Sequence, residues 1–367
     1  MSSPHASETD TASRRIFVAS HSTVMSGPID YFERYLWRRG LETVRIDHPL
    51  DSYDGRSSEL RKNGKTVRAW KREARGPLNL IWDFACTVAL ALRARVEVGV
   101  GANNFDTYGV LAARRLRLSR LPRVIYFAAD YSEDRFSNPL LNWIYLHVER
   151  SVLRRADLVV SNTRRAEEKR MQLGLDRKKS LVIPNGVRLE HPRFVPKQIR
   201  KDRFVFVGSV TREHGLYELL ETIQPLIRRL TIIGHGEDWE RVIGLCDRKS
   251  IPYEAHMSWP HEAVLDHLRD FEGIGLAPYN RDSKWTYYCS PLKINEYIAS
   301  GLPVITSSVP EIAATIKSEK LGIVYERADL EEMSKALEAL DVTDFHQRAA
   351  RFYDEFNSDS LYDRVTL

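Results

Sequence analysis

Lys293 and Glu296 stand three residues apart in Ser290-Pro-Leu-Lys-Ile-Asn-Glu-Tyr-Ile-Ala-Ser-Gly-Leu-Pro, the segment 290–303. Ser290 suits an N-cap, Pro291 suits the first helical position and Gly301 suits the stop, so the punctuation predicts a helix. Ile294, Tyr297 and Ile298 then share the apolar face, leaving Lys293 and Glu296 together on another face near the N-terminus. Unpaired N–H groups and the positive end of the helix dipole attract phosphate there. Lys293 adds a cation for a pyrophosphate, and Glu296 can accept from both ribose hydroxyls, so the two could cradle a nucleoside diphosphate. The competing reading is an ordinary surface ion pair.

A second group of candidates follows apolar runs in the first half of the chain. Asp130, after the run 124–128, could take a proton from an acceptor hydroxyl as a general base; alternatively it caps the helix beginning near Ser132 or pairs with Arg135. Glu133 and Asp134 are its rivals. His21 could contact donor or acceptor, or be a structurally satisfied histidine. Gly27 either admits a ligand close to backbone or makes the turn before a helix. Asn103, Asn104 and Asp106 could read acceptor hydroxyls, or serve as turn residues. Cys86, Cys246 and Cys289 lack the spacing of a zinc or redox motif, which fits a reducing cytosol.

These side chains need strand ends to hold them. Brief apolar runs at 15–20, 96–100, 124–128, 158–161 and 181–183 alternate with helical windows, as buried parallel strands with crossover helices require. After a polar, Pro-containing stretch the pattern resumes at 204–207, 230–233, 274–277, 304–306 and 322–325. Two doubly wound α/β domains are predicted, in keeping with 367 residues being more than one core usually organises. The boundaries are a frayed tail at 1–13, a first domain at 14–190, a linker at 191–203, a second domain at 204–344 and a helix at 345–367 returning to the first domain.

Charge divides the same way. Residues 1–190 carry +11 and the remainder −6, which suits a first domain facing phospholipid headgroups or a phosphate-bearing acceptor, or merely a solvated basic face. The basic clusters lack interleaved aromatics, so nucleic acid is not an expected partner. The apolar run 78–92 is interrupted by Asp83 and flanked by Arg72, Arg75, Arg93 and Arg95. It is too short to span a bilayer; it reads first as a core helix and second as an interfacial one. Without an apolar leader at the N-terminus, a cytoplasmic protein, peripheral on the inner membrane face, is expected.

The order of motifs carries a resemblance. Phe204-Val-Phe-Val-Gly-Ser-Val, His214-Gly215, Thr231-Ile-Ile-Gly-His-Gly236, Gly275-Leu-Ala-Pro-Tyr279 and the helix from Ser290 resemble the C-terminal half of GT-B glycosyltransferases of the GT4-like group. Val182-Ile-Pro-Asn-Gly-Val187 resembles the end of their N-terminal domain. A narrower likeness, to the membrane-associated xanthan-pathway glucuronosyltransferase (GT70-type), lies in Val124-Ile-Tyr-Phe-Ala-Ala-Asp130, Gly208-Ser209, Leu276-Ala-Pro-Tyr279 and Ser290-Pro-Leu-Lys-Ile-Asn-Glu296. It implies Asp130 as base, Tyr279 near the nucleoside, Leu292 and Lys293 beside the diphosphate, and Glu296 near the ribose.

Departures from the pattern matter too. Ser209 replaces the common Arg and His214 the common Lys, leaving Arg212 and Lys293 as phosphate cations. Retaining members show Glu-x7-Glu, and Tyr288 stands where the first Glu belongs, so inversion is expected. The resemblance implies transfer of a sugar from a UDP-sugar to a lipid-linked or polysaccharide acceptor, within EC 2.4. Lys284 or Arg281 would suit an anionic donor sugar. No DxD motif is found, and neither metal nor cofactor is expected beyond the nucleotide-sugar co-substrate. The alternatives are a nicotinamide oxidoreductase, disfavoured because 21–27 lacks G-x-G-x-x-G, and a silent nucleotide- or glycan-binding protein of the same fold.

Overall fold

The computed structural model describes residues 15–21, 27–49, 57–71, 77–94, 96–116, 122–128, 131–136, 138–190, 192 and 194–367. Its strands in the first half are β1 (Arg15–His21), β2 (Glu42–His48), β3 (Ser57–Lys62), β4 (Lys65–Lys71), β5 (Val98–Gly101), β6 (Arg123–Ala128), β7 (Leu158–Ser161) and β8 (Ser180–Val182). They form one sheet in the order β4-β3-β2-β1-β5-β6-β7-β8. β1 runs parallel to both β2 and β5, whereas β3 and β4 are an antiparallel edge hairpin. That hairpin turns through Asn63 and Gly64, both at positive φ, the two-residue geometry that matches strand twist. The register pairs His21 with His48, so both histidines finish at the same sheet edge.

The second sheet comprises β9 (Arg203–Val207), β10 (Arg229–Ile233), β11 (Tyr253–His256), β12 (Ile274–Ala277), β13 (Val304–Ser307) and β14 (Gly322–Tyr325). It is ordered β11-β10-β9-β12-β13-β14, and every pairing is parallel. Successive residues of β9 face opposite layers. Phe204 and Phe206 pack with Leu216, Leu219 and Leu220 on one side, and Val205 packs with Ile294, Tyr297 and Ile298 on the other. Burial on both faces is why these strands read as continuous apolar runs.

By contact density the chain separates into two units. One holds residues 1–128, 147–159 and 367; the other holds 129–146 and 160–366. Among the described residues no helix is long and apolar enough to cross a membrane.

The helix Pro77–Arg93 reverses the first reading of its sequence. Asn79, Asp83, Thr87 and Ala91 are its buried stripe, while Leu78, Ile81 and Trp82 are more than half exposed. Asp83 is drawn inward by two histidines, and the four-residue spacing carries Asn79 and Thr87 with it.

Candidate active site

In the second unit the carboxyl ends of β9 and β10 approach so closely that side chains cannot be admitted. A Cβ on Gly234 would lie 1.8 Å from the Gly208 carbonyl oxygen, and one on Gly236 would lie 2.2 Å from that of Val210. Gly208 and Gly234 both hold positive φ, which only glycine adopts freely. The result is exposed backbone at the strand ends, where ligands of such sheets bind.

The helix Leu292–Ala299 rises beside this loop. Its Tyr297 hydroxyl accepts from Val207 N at 2.7 Å and donates to the Leu276 carbonyl at 3.3 Å, locking the helix onto β9 and β12. It ends as expected: Gly301 takes φ +80, and Leu302 N–H bonds back to the Tyr297 carbonyl at 2.9 Å. Its start differs from the sequence reading. Pro291 is the N-cap residue, and the Ser290 hydroxyl instead accepts from Asn185 N at 3.0 Å while its carbonyl accepts from the Asn185 amide at 2.6 Å. A tertiary partner has taken the oxygen that would have capped the helix.

Lys293 points into the glycine loop. Its Nζ would meet a Cβ on Gly208 at 3.1 Å and lies 4.3 Å from the Phe206 ring centroid. That Nζ is buried and has no hydrogen-bond partner. Burial brings its pKa from 10.5 down to about 7, only partly opposed by Cys289 and Glu296. An amine sealed on one side and glycine-lined on the other is poised for an anion.

Around it, the His214 ring lies 5.6 Å from Tyr279 and 5.7 Å from Trp285, and Nδ1 shares a hydrogen bond with the Thr211 hydroxyl at 2.9 Å. Burial, then the charge of Lys293, pushes His214 down to about 2, so it is neutral at any physiological pH. Tyr279 is buried, whereas Ser209 and Arg212 are exposed on the loop that follows β9. Leu292 opens the helix and is half-buried.

Glu296 is buried and receives a hydrogen bond from His261 Nε2 at 2.7 Å. His261 was not singled out in the sequence; 35 residues separate it from Glu296, and only the fold joins them. The segment after Tyr279 already has its two cations paired: Arg281 with Glu326, and Lys284 with Asp134 at 2.5 Å. Glu133 pairs with Lys169 at 2.5 Å. Tyr288 is buried edge-on to Tyr131, with ring centroids 5.0 Å apart, and its carbonyl accepts from Thr163.

In the first unit the expected residues meet in a buried polar cluster. His21 Nδ1 donates to Asp106 at 2.7 Å, and its Nε2 lies 3.4 Å from Asp83. His48 lies 3.1 Å from the other Asp83 oxygen and bonds Ser58 and Thr87, with the two imidazole centroids 4.8 Å apart. Burial lowers the His21 pKa, but Asp106 and Asp83 outweigh it and raise it to about 9. His21 is therefore a buried imidazolium with little surface left for a ligand.

Asn103 caps the helix Asn104–Arg115, accepting from Asp106 N at 2.9 Å and donating to the Asp106 carboxylate at 2.6 Å. Its turn-residue role is the one observed; Asn104 is buried. Gly27 caps the helix Pro28–Arg38 with φ −111 and open space at its Cβ position, and its N–H donates to Asp30 at 2.8 Å. Arg45, fully buried, joins Asp30, Glu33 and Asp47 beneath it. Asp130 lies outside the described residues. Among the described residues no group of three or more His, Cys, Asp or Glu is placed to hold a metal ion.

Two family models match the chain in succession: a glycosyl transferase 4-like domain over residues 20–186 and a glycosyl transferases group 1 domain over residues 201–341. The chain is 25% identical over 305 residues to a protein described as a colanic acid biosynthesis glycosyltransferase, WcaL, of Escherichia coli, covering 79% of this chain and 72% of that one. The structure of Anabaena HepE in complex with UDP-glucose gives a TM-score of 0.70 at 13% identity, covering 95% of this chain and 97% of that one. Sucrose-phosphate synthase from Thermosynechococcus elongatus gives 0.71 at 16% identity, covering 95% and 96%.

These matches correct two expectations. The family is the 4-like and group 1 one rather than the GT70-type glucuronosyltransferases, and its enzymes retain anomeric configuration, so inversion is overturned. Tyr288 in place of the first carboxylate of Glu-x7-Glu therefore does not mark a change of stereochemistry. The oxidoreductase and silent-protein alternatives fall with the same matches. With both halves matched in order, and two doubly wound sheets to carry them, parallel but for the antiparallel hairpin at the edge of the first, the chain belongs to the GT4, group 1 glycosyltransferases of the GT-B fold.

Proposed function

We propose that this enzyme transfers a sugar, with retention, from a UDP-sugar to a polysaccharide or lipid-linked acceptor. The observation that carries the donor reading is the buried, unpartnered Nζ of Lys293 facing Gly208. When the bond from the anomeric carbon to the diphosphate oxygen breaks, negative charge grows on that oxygen. Lys293 and the Ser209 N–H would stabilise it, with Arg212 reaching from the loop; the neighbouring Gly208 and Val210 N–H groups are already bonded to the Ile233 and His235 carbonyls. Ser290 and Leu292 would line the diphosphate, Tyr279 the nucleoside, and Glu296 would accept from the ribose hydroxyls. A uridine nucleotide is favoured by the UDP-glucose bound to HepE, and a polysaccharide acceptor by the colanic acid role in the description of WcaL.

On the acceptor side the basic first domain, 14–190, would face an anionic membrane surface from the cytoplasm. Asp130 would hold the incoming hydroxyl, which under retention needs orientation rather than an inverting base. His21, Gly27 and Asn103 would shape that region from behind, through the contacts they make to Asp106 and Asp30, with the buried Asn104 beside them at the start of the helix that Asn103 caps. The test is calorimetric. Lys293→Ala should weaken UDP at least about tenfold while leaving uridine within about twofold, a charged hydrogen bond being worth about 1.5–3 kcal/mol. Equal losses for the two ligands would reject the diphosphate role.

A further inference from the structure

The helix Pro77–Arg93 wears its sequence inside out. Its exposed stripe is Leu78, Ile81, Trp82, Ala85 and Ala89, at helical spacing, with Leu80 beside it, and all are apolar. Its one acidic residue, Asp83, is turned inward and held by His21 and His48. Arg93 at the far end is exposed. An apolar face of this size, on a helix that uses its polar residues for the core, has no use in water.

We propose that this face inserts into the surface of an anionic phospholipid bilayer. The helix is about 25 Å long and lies within the length of interfacial helices, with Trp82 the residue type that favours the headgroup boundary. Charge selects the occupant. The edge hairpin β3–β4 exposes Lys62, Lys65, Arg68 and Lys71, and its lone acid, Glu59, is occupied by Arg61. Lys71 is six residues from Pro77, which places the basic edge within about 21 Å of the start of the apolar stripe. A second copy docking through the same face would set these cations against their own counterparts, whereas anionic headgroups complement them.

This deepens the reading of the acceptor as membrane-linked, since Asp83 joins the lipid-facing helix to the histidine cluster of the first domain. It makes no use of the donor site.

The test uses the full-length protein with vesicles of phosphatidylglycerol and phosphatidylethanolamine, and with vesicles of phosphatidylcholine alone. Sedimentation should show wild type bound to the anionic vesicles and at least about tenfold less to the neutral ones. Ile81→Ser with Trp82→Ser should reduce anionic-vesicle binding on the order of a hundredfold. Arg68→Glu with Lys71→Glu should reduce it about tenfold and flatten its salt dependence. Both variants should keep wild-type UDP affinity.

Absence of vesicle binding by wild type overturns the proposal, as does binding that both double variants leave unchanged. So does a wild-type dimer in sedimentation velocity that Ile81→Ser with Trp82→Ser dissociates. Should that apolar variant melt early, the hairpin variant on the exposed edge carries the test alone. Loss of UDP binding by wild type would strike the transferase reading and leave the vesicle result standing.

Discussion

Donor binding should draw a proton onto Lys293. The free enzyme holds this amine with no hydrogen-bond partner, and burial lowers its pKa to about 7. A diphosphate oxygen beside Nζ favours the charged form and lifts the pKa back toward its ordinary value. At pH 8 about nine-tenths of the free enzyme carries a neutral Lys293, so binding takes up close to one proton. Each pH unit above 7 then costs about 1.4 kcal/mol, and UDP affinity should fall about tenfold per unit between pH 7.5 and 9. The window avoids the phosphate's own titration near roughly pH 6. Calorimetric titration at pH 8 in two buffers of unlike ionisation enthalpy reads the proton count directly. Lys293→Met should take up none. Wild type binding UDP with no proton uptake and a flat pH profile would refute the reasoning.

Two other sites give sharp expectations. His21 has a folded pKa of about 9 against 6.5 unfolded, so its contribution is fully present below pH 6.5 and is lost as pH rises through 9; the ceiling is on the order of 3 kcal/mol. Lys293 works the other way, because its depressed pKa makes stability rise with pH above 7, so the wild type should be compared with Asp106→Asn in denaturant titrations at pH 6.5 and 9.5. The wild type should lose more stability than the variant; equal losses would remove the His21–Asp106 pair as the cause. His261→Ala should cost UDP about 1 kcal/mol by freeing Glu296, and should cost 2′-deoxy-UDP less. A uniform loss across both nucleotides would separate Glu296 from the ribose.

What was legible in the sequence follows from what burial does to residue type. Strands buried on both faces, such as β9 and β12, announced themselves as apolar runs. β2 did not, because Arg45 sits in its middle and is neutralised by Asp47 of the same strand and by Asp30 and Glu33 from the helix Pro28–Arg38. The β3–β4 hairpin is an exposed edge whose polar residues carry no core signal. At the site, Lys293 and Glu296 were readable from helix punctuation, since the helix fixes them locally. Ser290 and Glu296 gained partners, Asn185 and His261, that lie far away in sequence and had no local mark. Asp83 was visible as a carboxylate breaking an apolar run. Its meaning, that the helix faces inward on its polar side, depended on two histidines that only the sheet register brings together.

The measurement closest to the central claim is a crystal structure of the enzyme with UDP. A β-phosphate oxygen should lie about 3 Å from Lys293 Nζ, over the Gly208 loop, with the ribose hydroxyls on Glu296. UDP bound elsewhere, with Nζ still turned to Phe206 and Glu296 engaged by His261 alone, would contradict it.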